Sequence, residues 1–446
     1  MNDIPVLVDF STPNGKLRHR LHSSGFMPNM SSRNIRDFSN EFKELNFLEA
    51  RTHDQALTNP GQRVVDTHFV FPNMHADPSD PDNYFFKATD NLFEICMACG
   101  TNIMYRLGTS IEHTLNQHFN ALMPDDFDKY AEVLAGIIRH YNHGWADGFN
   151  LGIEYWEIWN EADLPKKMWD ASLEEYYKFF GVVSKRLKSE FPEIKIGGPA
   201  FTRLRDETYV GFLTHCRDNK VPLDFLSWHC YSDDVAYLVE QPQRARKLLD
   251  SYGFAKTETM INEWHYLLSW DGLHHHFTPE GYEQTMNGPT GMYGIDSALF
   301  NISVVAGWHD TPLDSSFYYG AGEGTWGFVT MYKALNKNYY SMYLLGQMMT
   351  RFSNRVATSG GGETISILAG TDNAGNYGIL VADYRGTEME IPLTIAGIEK
   401  VDNLTVTLLD QSSDLKEIEV KITDNRLILR KQESGSAAFL ITFQGK

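Results

Sequence analysis

Three features of the sequence predict an α/β chain, built on a (β/α)8 TIM barrel and completed by a C-terminal β-sandwich domain. From about residue 18 to 353, short runs rich in β-branched and aromatic residues alternate with amphipathic stretches at helical spacing, as in a parallel sheet covered by helices. After Ser359-Gly-Gly-Gly362 the helical spacing stops, and short segments with period-two alternation follow, separated by turn clusters such as Asp372-Asn-Ala-Gly-Asn376. At 446 residues the chain has room for a barrel of about 250 residues or more plus a smaller unit. The expected division is 18–353 for the barrel, with 1–17 and 354–446 forming the sandwich, to which Val6–Phe10 adds a strand.

Each barrel element has its own justification. Leu21–Pro28 is a candidate first strand, and Ile35, Phe38, Phe42 and Leu45 mark the helix after it. A second strand runs from Phe47 to His53 and Asp54; the Asp- and Pro-rich segment Asn73–Asn83 is a loop without calcium-loop spacing. The helix Phe85–Cys99, stopped by Gly100, leads to a third strand, Thr101–Gly108. Phe127–Asn142 is helical and precedes the fourth strand, Gly152-Ile-Glu-Tyr-Trp-Glu-Ile-Trp-Asn-Glu161. The remaining pairs are helix Leu173–Glu190 with strand Lys195–Ala200, helix Tyr209–Arg217 with strand Leu223–Tyr231, and helix Val235–Leu249 with strand Thr257–Trp264. An insertion, Leu268–Gly291, separates these from helix Met292–Trp308, the eighth strand Ser315–Tyr319 and a last helix, Ala334–Met349. The sandwich strands are expected at Thr364–Ala369, Tyr377–Asp383, Met389–Ile395, Leu404–Leu409, Ile418–Ile422, Arg426–Leu429 and Ala438–Phe443.

Composition narrows the function. Lys and Arg number 39 against 58 Asp and Glu, a net charge of −19 with no compensating basic stripe, which argues against a nucleic-acid partner. No run of about 18 apolar residues is present, so no membrane span is expected. Residues 1–20 carry charges and prolines in place of an apolar signal core; no leader is expected in the chain as written, and the compartment stays open. Cys96, Cys99, Cys216 and Cys230 do not form a disulfide framework, and Cys96 and Cys99 continue the apolar spacing of their helix, so buried thiols are expected. His274-His275-His276 sit in the insertion, where adjacent residues of an extended segment point apart; no metal and no cofactor are expected.

Four strands end in polar pairs: His53/Asp54, Asn160/Glu161, His229/Tyr231 and Asn262/Glu263. In a parallel barrel such ends gather at one rim, where chemistry resides. Glu161 and Glu263 would then face each other across the mouth. Glycoside hydrolysis needs this arrangement, with one carboxyl protonated to give a proton to the leaving oxygen and the other ionised to attack or to activate water.

Trp-Glu-Ile-Trp-Asn-Glu161 resembles the Asn-Glu-Pro acid/base signature of clan A glycoside hydrolases, and Ile-Asn-Glu263-Trp resembles their nucleophile strand. With Ser24-Gly25-Phe26, Ile196-Gly-Gly-Pro-Ala200, Asp224-Phe-Leu-Ser-Trp-His229-x-Tyr231 and Trp326-Gly-Phe-Val-Thr330 in the same order and spacing, the chain resembles glycoside hydrolase family 39, which includes β-xylosidases and α-L-iduronidases. The resemblance implies a retaining double displacement with Glu161 as acid/base and Glu263 as nucleophile. It further implies that Asn160 binds the sugar 2-hydroxyl, that His229 and Tyr231 flank Glu263, and that His53 and Asp54 bind hydroxyls deep in the pocket. Tyr318, within the Phe-Tyr-Tyr319 that stands where the family usually has Trp, would line the sugar floor, with Glu323 and Trp326 closing the site. Ala162 replaces the usual Pro, and Asn262 stands where Thr or Ser is common.

The expected activity is that of a retaining exo-glycosidase removing a neutral sugar such as xylose from an oligosaccharide or glycoside. Arabinose, galactose or a uronic acid are the alternative sugars. Transfer to an acceptor sugar is the alternative reaction, and a carbohydrate-binding protein without turnover the alternative class. Homo-oligomerisation is left open.

Overall fold

The computed structural model describes residues 5–28, 37–53, 63–111, 120–270, 278, 280–281, 285–320, 322, 325–329 and 334–445. Its first strand, β1 (Val6–Lys16), belongs to the C-terminal sheet; the next, β2 (Ser23–Ser24), opens the barrel. In chain order there follow α1 (Ser39–Glu44), β3 (Glu49–Arg51), α2 (Thr67–Val70), α3 (Lys87–Ala98), β4 (Asn102–Leu107), α4 (Phe127–His143), β5 (Tyr155–Ile158), α5 (Leu173–Glu190), β6 (Lys195–Phe201), α6 (Asp206–Asp218), β7 (Phe225–Ser232), α7 (Val235–Ser251) and β8 (Glu258–Tyr266). After the insertion come α8 (Ile295–Trp308), β9 (Ser315–Tyr318) and α9 (Lys337–Arg351). Strands β2 to β9 are parallel and close into a barrel, with β9 pairing to β2 through Phe317 opposite Ser23. Helix starts follow local chemistry: Asp126 accepts from the Lys129 N–H at 3.0 Å and Ser172 from the Glu175 N–H at 3.2 Å. Helix α8 begins three residues later than the spacing predicts, because Met292–Gly294 is held by turn hydrogen bonds to Thr285, Met286 and Gly291.

Inside the barrel, side chains stack in layers with the two-residue period of a strand. The lowest layer is apolar: Met104, Tyr155, Phe225, Met260 and Phe317 are buried together. The Tyr155 hydroxyl, facing the barrel floor, meets Arg20, Lys195 (2.7 Å) and Glu258 (2.8 Å), a charged plug on the N-terminal side. That end is filled, so the opposite, C-terminal rim is where the barrel can receive a ligand.

The remaining strands, β10 (Asn354–Ser359), β11 (Ile365–Thr371), β12 (Asn376–Asp383), β13 (Glu390–Ala396), β14 (Val401–Leu409), β15 (Lys416–Ile418), β16 (Arg426–Arg430) and β17 (Ala437–Gly445), join β1 in one nine-stranded sheet ordered β15-β14-β17-β12-β11-β10-β1-β13-β16. Curled over, this sheet encloses its own core of Val8, Val356, Ile379, Leu393, Val406, Leu427 and Phe439. Strand β10 was not anticipated: Asn354–Ser359 carries few of the apolar residues that mark a strand, and antiparallel pairing to β1 creates it. The other face of the sheet contributes Leu368, Leu380 and Leu440 to the barrel's own core. Bidentate pairing of Arg355 with Asp310, both contacts at 2.6 Å, adds a polar clamp.

Two histidines of this framework are held neutral. His22 is fully packed, with Nε2 2.8 Å from the Leu45 carbonyl; His309 places Nδ1 2.9 Å from the Val305 carbonyl while Nε2 accepts from the Arg18 N–H. Burial pushes both down to about 3. The unfolded chain, with its histidines near 6.5, therefore takes up protons first, and stability is complete above that value and lost as pH falls from there toward 3. At pH 5 the expected loss is about 2 kcal/mol for each histidine. Urea unfolding at pH 7 and pH 5 checks this: in His309→Gln the difference between the two pH values should shrink by about 2 kcal/mol, and an unchanged difference refutes it.

Candidate active site

Four barrel strands deliver polar side chains to the C-terminal rim, two of them through a departure from regular strand geometry. Past β5 the backbone takes left-handed values at two non-glycine residues, Trp159 (φ 71°) and Glu161 (φ 47°), which flank Asn160. Packing holds this strained turn in place. The Trp159 indole donates to the Met168 carbonyl (2.8 Å) and sits among Tyr130, Trp169 and Phe179; its backbone N–H reaches the Leu107 carbonyl (2.6 Å), and the Glu161 N–H reaches that of Ala200 (2.9 Å). Gly108 belongs to the same device, since a Cβ there would stand 2.9 Å from the Trp159 Cα. The result turns both Asn160 and Glu161 toward the barrel axis.

Strand β8 uses a bulge. Ile261 lies opposite Ser316 and Trp264 opposite Tyr318, while on the other side Ile261 lies opposite Trp228 and Glu263 opposite His229. Strand β8 thus carries one more residue than either neighbour between these points. Alternation alone would send Asn262 and Glu263 to opposite faces; the extra residue lets both face the interior.

The groups converge on Glu263. Its Oε1 lies 3.0 Å from Arg51 Nη1 and 2.8 Å from His53 Nε2; its Oε2 accepts from the Tyr231 hydroxyl at 2.8 Å and lies 3.2 Å from His229 Nδ1. The same His229 nitrogen stands 2.8 Å from Glu161 Oε1. His229 Nε2 is buried without a hydrogen-bond partner among the described residues, so the proton belongs on Nδ1, where both carboxylates can accept it. Glu161, His229 and Glu263 each place an atom within 4.8 Å of the others. The same three could ligate a metal, but here Arg51 and the imidazole N–H already supply the positive ends.

The two carboxyls are driven apart electrostatically. Burial pushes Glu161 above the ordinary carboxylate range, with the neighbouring Glu263 adding to the shift and His229 opposing it. Burial would raise Glu263 too, but His229, His53 and Arg51 together hold it well below that range. Glu161 also retains 17% side-chain exposure against 5% for Glu263, so the one that favours its proton is nearer solvent. One acid and one base side by side is the pattern that acid/base chemistry requires.

Around the carboxyls stands an aromatic wall. Tyr231 lies edge-on to Trp270 (5.3 Å) and Tyr319 (6.1 Å) and tilted against Trp326 (5.4 Å), and Phe26 packs on His53 and Tyr319. The expectation for Tyr318 needs correcting: it is buried behind this wall, with its hydroxyl 2.6 Å from His265 Nε2 and its ring stacked on Phe328. Tyr319, the next residue, is the one that meets His53 and Trp326. Asp54 and Glu323 lie outside the described residues, as do the three adjacent histidines of the insertion. Arg51 and Glu157 had gone unnoticed; for Glu157 the available signal was a charge within the otherwise apolar buried strand Tyr155–Ile158, whereas Arg51 shares its strand with Glu49 and gave no such contrast.

Comparison with known proteins bears on the family and the fold. The model of glycosyl hydrolases family 39 matches residues 6–253, more than half of the chain. The chain belongs to that family. A stretch of 123 residues is 32% identical to a β-xylosidase from Geobacillus stearothermophilus, and 119 residues are 30% identical to one from Caldicellulosiruptor saccharolyticus. Each match takes in 26% of this chain and less than a quarter of the relative's length (23% and 24%). Among solved structures, a glucosidase from Croceicoccus marinus superposes with TM-score 0.80 at 22% identity over 99% of both chains. A GH39 β-xylosidase from Caulobacter crescentus superposes with TM-score 0.71 at 14% identity, covering 98% of this chain and 99% of the other. These likenesses show the family 39 fold, a closed parallel barrel with a separate curled β-sheet unit.

Proposed function

We propose that this family 39 member is a retaining, exo-acting glycoside hydrolase that removes a neutral sugar, xylose being the first candidate, from an oligosaccharide or glycoside. The observation that carries the reading is the pairing of Glu161 and Glu263 across one His229 nitrogen, each offering an oxygen within 4.8 Å of the other, with burial raising the first and its cationic and donor partners lowering the second. Oxygens that approach this closely favour the spacing of retaining enzymes, whose carboxyls stand roughly 5–5.5 Å apart, over the roughly 6.5–9.5 Å of inverting ones. In the first step Glu161 gives its proton to the leaving oxygen while an oxygen of Glu263 bonds to the anomeric carbon as the glycosidic bond breaks. In the second, Glu161 takes a proton from water, whose oxygen displaces Glu263. Negative charge passes from Glu263 to Glu161 and back, and the His229 N–H lies in reach of both. Asn160 Oδ1 accepts from Arg51 Nη2 at 2.7 Å, which leaves its amide N–H₂ to donate to the sugar 2-hydroxyl.

A neutral sugar is favoured because Arg51, the guanidinium at the pocket floor, is already engaged by Glu157, Glu263 and Asn160. Xylose is favoured because the two sequence relatives named above are β-xylosidases. A panel of 4-nitrophenyl glycosides tests the reading, with the anomer of the first-formed product followed by NMR. The expected outcome is fastest release from the β-xyloside, with the β-anomer of xylose appearing first. An α-anomer appearing first refutes retention, and sugar binding without hydrolysis of any glycoside refutes the enzyme.

A further inference from the structure

Beneath the two carboxyls lies a second polar layer that the proposed chemistry does not use. Counting inward residues two at a time along each strand, Tyr155 is followed by Glu157, Phe225 by Ser227, and Met260 by Asn262. Glu157 is completely buried, and every partner it has among the described residues is a donor: Arg51 Nε on Oε2 (2.7 Å), with Nη2 at 2.6 Å from the same oxygen, and Ser227 Oγ (2.6 Å) and Asn262 Nδ2 (2.8 Å) on Oε1. Such a donor set suits a carboxylate anion. Asn262 has its amide nitrogen on Glu157 and, among the described residues, no partner for Oδ1, so contact with Glu157 is what orients it. The bulge in β8 is what allows Asn262 to reach down to Glu157 while Glu263 reaches the substrate level.

Arg51 therefore sits between two carboxylates, one serving the reaction and one not. If Glu263 were its sole partner, the full guanidinium charge in a water-poor site would fall on the nucleophile and weaken its attack. We propose that Glu157, fixed by Asn262 and Ser227, is a positioning residue that draws Arg51 away from Glu263 and so keeps the nucleophile reactive while still ionised. The titratable and charged groups around this layer, among the described residues, include Arg51 from β3, Arg106 opposite Glu157 on β4 and engaged by Asp66, Glu263, Glu161, His229 and Tyr231 above it, His53 beside Glu263, and the Tyr176 and Tyr209 hydroxyls from α5 and α6 behind it.

The test is the pH dependence of kcat/KM for 4-nitrophenyl β-xyloside, or whichever nitrophenyl glycoside the wild type hydrolyses fastest, in Glu157→Gln and Asn262→Ala. Removing the Glu157 charge hands Arg51 to Glu263. The expected result is a loss of roughly 10–100-fold, with the acid limb moved to lower pH by about half a unit to one unit. Removing the Asn262 donor instead leaves Glu157 a stronger pull on Arg51, and the acid limb should move a few tenths of a unit to higher pH. A general packing defect would not move the limb in opposite directions. Limbs that stay in place, or that move the same way in both variants, overturn the proposal. Should Glu157→Gln fail to fold, the direction of the Asn262→Ala shift decides alone, an unmoved or lowered limb counting against. The inference rests on the role proposed for Glu263, and the two fail separately: a wild type without hydrolysis removes that role, whereas an active wild type with unmoved limbs removes only this one.

Discussion

Glu263→Ala is expected to lower hydrolysis of every glycoside in the panel by roughly 10⁵-fold, the scale seen when a covalent nucleophile is removed. Activated and poor leaving groups should suffer alike, because no covalent intermediate can form with either. The cavity left by the side chain sits beside Arg51, His53 and the Tyr231 hydroxyl, all donors left facing an empty place. A small anion fits that place, and azide added at high concentration should restore turnover by direct attack, giving the glycosyl azide of inverted configuration. Loss of fewer than about two orders of magnitude, or an azide product of retained configuration, contradicts the role. The variant also removes the charge that keeps Arg51 paired on this side, so its fold should be checked by circular dichroism before kinetics are interpreted.

The second large effect belongs to Glu161→Ala and differs in kind. Substrates with poor leaving groups, such as xylobiose, need the proton and should lose roughly 10³–10⁴-fold; 4-nitrophenyl glycosides leave without one and should lose far less in the first step. With those activated substrates the second step becomes limiting, since water has lost its base, and azide should rescue it with net retention, as a β-glycosyl azide from a β-glycoside. The wild-type pH profile follows from the same pair. Because Glu263 is held low, activity should persist below the usual carboxylate range; because Glu161 is held high, the basic limb should lie above it, and this limb should vanish in Glu161→Ala with activated substrates. Equal, unrescued losses in the two variants would count against assigning them separate roles.

What was readable in the chain follows the range of the forces involved. The barrel was legible because strand and helix signals are local and repeat eight times, and the curled sheet because alternation and turn clusters persist after residue 362. His53, Asn160, His229, Tyr231 and the two glutamates were legible as strand-end residues, and the structure brings all six together. Tyr318 was misplaced by one residue. At a strand end the choice between two adjacent tyrosines depends on which face of the last peptide is turned inward, and here His265 accepts one of them behind the wall.

Residue types and their order along the strands were thus enough to settle the architecture and to nominate the carboxyls. Tertiary structure alone decided the rest: a bulge that turns Asn262 and Glu263 the same way, a shared imidazole nitrogen, and Arg51 bound to partners 106 and 212 residues away. The reason is physical. Secondary-structure signals arise between neighbours in sequence, whereas the charge on a buried carboxyl is set by whatever the fold places within a few ångströms of it.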